Sequence, residues 1–191
     1  MDSKKIITGF TLVELLIGST ILAIVILILG KVFISNLKLF LDESSAIAIT
    51  EANKIALDEV INQIRESQAV AANCTPCGAD TSGSNVLILQ LWPINTNGEL
   101  YDGGVNFDYI VYKRDVQDNT LLRKIVYPNA VSTRPASNKI LSTNVANLSF
   151  AYNNATPSQA SEVTVTIKNS TNSSGKIQET ERQSKAVLRN K

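Results

Sequence analysis

Three residues stand out for the chemistry their surroundings impose. Glu14 is the single charge in residues 10–29, FTLVELLIGSTILAIVILIL. A carboxylate in so apolar a run costs about 2.5–3.5 kcal/mol at a bilayer centre and less near the interface, so its presence calls for a partner and a task. Cys74 and Cys77 form a C-x-x-C. That spacing suits a disulfide closing a tight loop, a pair of free or metal-binding thiols, or a redox couple. Two cysteines alone cannot complete a four-ligand zinc site. Histidine is absent. Its absence removes the commonest general base, every Ser-His or Cys-His nucleophile pair and the usual imidazole metal ligand. Lysine and carboxylate chemistry stays open, but no carboxylate pair, phosphate loop or nucleophile motif rises above background. The expectation is a protein that is not an enzyme and uses no cofactor and no metal.

The element that carries Glu14 is a helix. Residues 10–29 would span roughly 30 Å at the α-helical rise, the thickness of a bilayer core. Lys4 and Lys5 precede the run, which places the N-terminus in the cytoplasm and the bulk of the chain outside. A secretory signal peptide fits poorly, because its apolar core is shorter and a small-residue cleavage site follows it. Proline is absent before Pro76, and Gly18 and Gly30 are the only glycines between Phe10 and Cys77. Beyond Lys31 the pattern turns amphipathic, with Phe33, Leu37, Phe40 and Leu41 on helical steps, then Leu57, Val60, Ile61 and Ile64. One helix is therefore expected from about residue 10 to about residue 72, on the order of 90 Å long. Asn73 to Gly78, with Pro76, would end it.

Gly9-Phe10-Thr11-Leu12-Val13-Glu14 resembles the processing motif of type IV prepilins: a short basic leader ending in Gly, then Phe, then Glu as the fifth mature residue. The resemblance implies that a prepilin peptidase cuts between Gly9 and Phe10 and that the new Phe10 amine is N-methylated. It also implies that Glu14 meets the N-terminal amine of a neighbouring subunit and sets the register of assembly. The implied partners are other pilin or pseudopilin subunits, the prepilin peptidase, an inner-membrane assembly platform and the membrane itself. The implied location is the inner membrane, crossed once with the N-terminus inside, and then a periplasmic or extracellular filament. On that outward side the disulfide is the favoured state of Cys74 and Cys77.

After Gly78 the composition changes to short β-rich runs between turn clusters. Residues 86–92, 109–114, 121–127, 145–152 and 162–168 read as strands, and 176–189 as a final extended segment. Residues 115–120 and 169–175 read as hairpin connections. The fold class is α+β: one long helix, apolar first and amphipathic later, packed on an antiparallel sheet. The expected divisions are a leader at 1–9, a membrane and assembly helix at 10–30, its amphipathic continuation at 31–72 and a β-rich outer domain at 73–191. The YIVYKR/LLRKIVY hairpin, the LSFAY strand and the terminal VLRN resemble minor pilins of the W and J types. The helix also lacks the internal proline of many major pilins, which favours a minor pilin or pseudopilin.

Other constellations carry bland readings. Asp102-Gly103-Gly104-Val105-Asn106-Phe107-Asp108 offers oxygen ligands without the EF-hand spacing and reads as a solvated turn. Lys113-Arg114 and Arg123-Lys124 are split across strand faces, and the net charge is +1, so nucleic acid is not an expected partner. Trp92 and the tyrosines read as packing residues. The leading expectation is a structural subunit of a type IV pilus or of a type II secretion or competence pseudopilus. The alternatives are a filament-displayed module binding DNA, carbohydrate or a surface, and a membrane-tethered enzyme.

Overall fold

The structure is a computed structural model that describes residues 11–100, 106–173 and 175–189. One helix, α1, runs Leu12–Glu66 and is followed by eight strands: β1 (Ala69–Val70), β2 (Val86–Leu91), β3 (Asp108–Arg114), β4 (Leu122–Tyr127), β5 (Ser137–Ser142), β6 (Val145–Tyr152), β7 (Glu162–Ser173) and β8 (Lys176–Val187). Short 3-10 turns occupy Thr75–Cys77 and Pro157–Gln159. The fold is the expected α+β arrangement. The chain divides after Glu43 into two compact units.

In the first unit every described residue through Leu41 is exposed. Phe33, Leu37, Phe40 and Leu41, read above as the start of a buried face, are 70%, 48%, 67% and 50% exposed. Helical spacing names a stripe but not where its partner begins, and the buried stripe of α1 starts only at Ile49.

In the second unit Ile49, Asn53, Ala56, Leu57, Val60, Ile61 and Ile64 fall on one face of α1 at three- and four-residue steps. Of these, Ala56, Leu57, Val60, Ile61 and Ile64 enter one core with Leu87, Leu89, Ile110, Tyr112, Leu122 and Val126, and with Leu148, Phe150, Val163, Val165 and Ile167. The strands form two antiparallel sheets, β1-β2-β3-β4-β5 and β6-β7-β8. Val163, Val165 and Ile167 lie on one face, as their alternation predicts, and all are fully buried. The run VLILQL of β2 does not alternate, because its neighbours bury opposite faces. Leu87 and Leu89 join the helix-side core, while Ile88 packs with Val111, Ala71, Cys74 and Cys77 on the far side. Burying a Leu or Ile side chain stabilises by roughly 1.5–3 kcal/mol.

Several boundaries differ from the expected ones. The helix ends at Glu66, not near residue 72. Ser67 N and Ser67 Oγ both donate to Ile64 O at 3.2 and 2.7 Å, and Gln68 N donates to Gln90 O at 2.8 Å. The edge of β2 thus supplies partners for the backbone, and β1 forms where more helix was expected. β5 lies outside the strands expected from the sequence. Its SNKILS lacks alternation, and it forms through a ladder with β4. The polar segment at residue 169 is largely strand, since β7 and β8 pair from Glu162↔Val187 to Ser173↔Lys176. Asn144, with a left-handed φ of 58°, turns the chain from the first sheet to the second. Its carbonyl accepts from Ser170 N at 2.8 Å. An Asn takes that conformation at less cost than most residues.

Candidate functional site

The residues at the start of α1 form a closed local system. Glu14 N donates to Thr11 Oγ1 at 3.2 Å, while Glu14 Oε2 accepts from Thr11 N and Thr11 Oγ1, both at 3.0 Å. This reciprocal pattern is a capping box, which satisfies backbone donors that a helix start leaves without partners. A reading of Glu14 by its charge alone misses Thr11. The signal was present as T-x-x-E. Both bonds fall on Oε2, and no described residue bonds Oε1. Gly9 and Phe10 lie outside the described residues, so the structure does not place them against Glu14.

Residues 15–30 of the first unit can tolerate an apolar solvent. Ser19 Oγ donates to Leu16 O at 2.9 Å, and Thr20 Oγ1 to Ile17 O at 2.8 Å. Both hydroxyls are satisfied within the helix, as a lipid-facing or tightly packed segment requires. Leu15, Leu16, Ile17, Ile21, Leu22, Ile24 and Ile26 are all more than half exposed. By length and composition α1 can cross a membrane.

Residues 5–30 match the prokaryotic N-terminal methylation motif. No curated protein and no solved structure matches the chain. The matched motif, carried on an exposed apolar helix that precedes antiparallel sheets, supports a type IV pilin-like protein, processed by prepilin peptidase and anchored in a membrane. The motif points to a structural subunit and not to an enzyme.

The remaining sequence candidates lie in the second unit. Cys74 and Cys77 are paired, with Cα atoms 5.2 Å apart. Both are buried on the face of the first sheet opposite α1. Asp108 is not in a solvated turn. It is fully buried, and its carboxylate accepts from Asn129 N at 2.7 Å, Ser132 Oγ at 2.7 Å and Arg134 Nε at 2.8 Å. Those bonds fasten the segment after β4 to the start of β3. Residues 101–105 of that acidic stretch lie outside the described residues. Among the described residues no cluster of metal-ligating side chains is found.

The four cations considered for phosphate contact are each engaged within the chain. Lys113 pairs with Asp80 at 2.6 Å, Arg123 with Asp115, and Lys124 with Glu59, while Arg114 Nε donates to Asn119 O at 2.7 Å. The Asp115 carboxyl is held below the ordinary aspartate value, first by Gln117 N and then by the Arg123 side chain and Asp118 N. Asp118 is lowered by the hydroxyl and backbone N–H of Thr120. These bonds order the β3–β4 turn. The buried Tyr112 hydroxyl has no hydrogen-bond partner among the described residues; burial raises its pKa, with Glu59 and Glu66 adding to the effect.

Proposed function

We propose that the chain is a structural subunit, and a minor one, of a type IV pilus or of a type II secretion or competence pseudopilus. The observation that carries this reading is the methylation motif at residues 5–30, running directly into a helix section with no buried residue. A helix apolar all round needs either lipid or other helices on every side. A subunit that waits in the inner membrane and then moves into a bundle of its own kind meets both surroundings in turn.

In this reading the peptidase cuts between Gly9 and Phe10 on the cytoplasmic side, and the new Phe10 amine is methylated. Glu14 Oε2 stays on Thr11, which holds the side chain in place, and Oε1 receives the amine of a neighbouring Phe10. In an apolar bundle an unpaired carboxylate is costly, so a subunit one register out of place loses that pair and is disfavoured. The unbroken course of α1 from Leu12 to Glu66 and the β3–β4 hairpin favour a minor subunit of the W or J type. The outer unit faces the periplasm or cell exterior, and there Cys74 and Cys77 stay oxidised.

Intact mass and N-terminal sequencing of the protein from its native membranes test the processing step. A chain that begins at methylated Phe10 is expected. A chain that begins at Met1, in cells with active prepilin peptidase, would reduce the protein to a single-pass anchor. Glu14→Ala is expected to leave membrane insertion intact and to abolish incorporation into filaments. Normal incorporation would remove the register role.

A further inference from the structure

Asn97-Gly98 reads as a turn, and its surroundings give it a chemistry that the assembly reading does not use. The pair occurs once in the chain. It sits in the loop after β2, where Ile94 and Leu100 form an isolated bridge and Asn95 N donates to Glu99 O at 2.9 Å. Gly98 N donates to Asn95 O at 3.0 Å and closes a β-turn over residues 95–98. Gly98 has a left-handed φ of 81°, a conformation that glycine adopts without steric cost.

Two asparagines of this loop carry the same side chain in opposite surroundings. The Asn95 carboxamide is held at both ends. Its Oδ1 accepts from Asn97 N and Glu99 N, both at 2.9 Å, and its Nδ2 donates to Glu99 Oε2 at 3.1 Å. The Asn97 carboxamide makes no hydrogen bond among the described residues, and both Asn97 and Gly98 are exposed. The backbone nitrogen that follows Asn95 belongs to Thr96, which is β-branched. The nitrogen that follows Asn97 belongs to a residue with no side chain. No atom beyond the adjacent residues lies within 4 Å of where a Gly98 Cβ would stand. A reactive amide, an unhindered nitrogen and access to water therefore meet at residue 97 and not at residue 95.

We propose that Asn97 is a site of spontaneous deamidation through a cyclic imide. Asparagine is a thermolabile residue. Gly98 N gives its proton to hydroxide and attacks Cγ of Asn97, forming a new C–N bond. The old C–N bond of the carboxamide breaks, and its nitrogen leaves as ammonia with a proton from water. Water then opens the five-membered imide at either carbonyl. One opening gives aspartate and the other isoaspartate, in which the backbone runs through the side-chain carbon. The net reaction consumes one water and releases one ammonia, and nothing is oxidised or reduced. Gly98 N is hydrogen-bonded in the closed turn, so the attack proceeds from the opened turn, and exposed loops open at little cost. The product carries one more carboxylate, which takes the formal net charge from +1 to 0. The isoaspartyl form also lengthens the backbone inside the turn, which weakens the bond from Gly98 N to Asn95 O. The proposal does not depend on the assembly role of α1, and either can fail without the other.

The full chain in detergent micelles would be incubated at mildly alkaline pH in heavy-oxygen water, then digested and mapped by mass spectrometry at intervals. Asn97 is expected to convert severalfold faster than any other asparagine, to a mixture of aspartate and isoaspartate that each hold one solvent oxygen. Asn95 should stay intact over the same period. Asn97→Gln keeps a carboxamide at an exposed position, but the same attack would have to close a six-membered ring. This variant should lose the acidic species that isoelectric focusing resolves from the aged native chain. Four outcomes overturn the proposal: Asn97 intact after other asparagines have converted, Asn95 converting at an equal rate, aspartate formed without isoaspartate, or the acidic species persisting in Asn97→Gln.

Discussion

The two sections of α1 share one backbone geometry and differ in what surrounds them. Up to Leu41 the helix is exposed on every side and predominantly apolar. From Ile49 to Ile64 it buries one stripe in a core built by both sheets and keeps Lys54, Asp58 and Asn62 in water. Helix formation is the same local event in both, yet only the second section has its packing partner within the chain. The first finds no packing partner among the described residues of the chain, and its apolar surface suits an apolar solvent or other helices. A single helix can therefore serve two solvents.

The sharpest way to break that comparison is to delete the same atoms from each section. Ile64→Ala should destabilise the second unit by about 2–5 kcal/mol, the usual cost of a core cavity. It would be read as a lower Tm of the full chain in detergent. Ile24→Ala, at a position 57% exposed, should leave that Tm unchanged. Equal losses would mean that the first section also packs within the chain.

A smaller effect should come from Asn53, the buried polar residue of the packed stripe. Its Nδ2 donates to Ile167 O at 2.9 Å and Thr180 O at 3.3 Å, joining α1 to β7 and β8. Asn53→Ala should cost about 1–3 kcal/mol. Denaturant unfolding with an unchanged slope would check it. At the other end of the helix, Thr11→Ala removes the cap and should cost about 0.5–2 kcal/mol. The loss should appear as faster amide exchange at Val13 to Leu16, with no change in the melting of the second unit.

The smallest effect concerns the β3–β4 turn of the second unit. Asp115 and Asp118 have lowered values in the folded chain. The unfolded state thus binds protons more readily than the folded state, and stability falls as pH falls. This contribution is fully present above the unfolded aspartate value of about 3.9 and is lost as pH drops through the folded values. Carboxyl chemical shifts followed from pH 6 to 2 should show midpoints below that of an unstructured aspartate. Midpoints at or above it would remove the turn's role in acid sensitivity.

Much of this was legible without coordinates, because the signals are local. The helix, the membrane-length apolar run, the lone Glu14 and the alternation of Val163, Val165 and Ile167 each depend on residues a few positions apart, where periodicity and transfer energies act directly. The capping box was legible too, as T-x-x-E from Thr11 to Glu14, but a carboxylate in an apolar run draws attention to its charge before its hydrogen bonds. Contacts between residues distant in sequence were not legible. The backbone after Glu66 leaves the helix because Gln90 O, 22 positions beyond Gln68, takes its hydrogen bond. Asp108 is buried because Ser132 and Arg134 reach it from beyond β4. The strands divide into two sheets at Asn144, and the phenols of Tyr109 and Tyr127 come together only once β3 and β4 pair in register. The sequence by itself determined the long helix, the strands with clear local patterns and which stretch must leave water. Tertiary structure alone decided which face of each strand meets α1, where the buried stripe begins and which polar groups find partners. Those outcomes rest on long-range pairing, whose free energy no short window of residues contains.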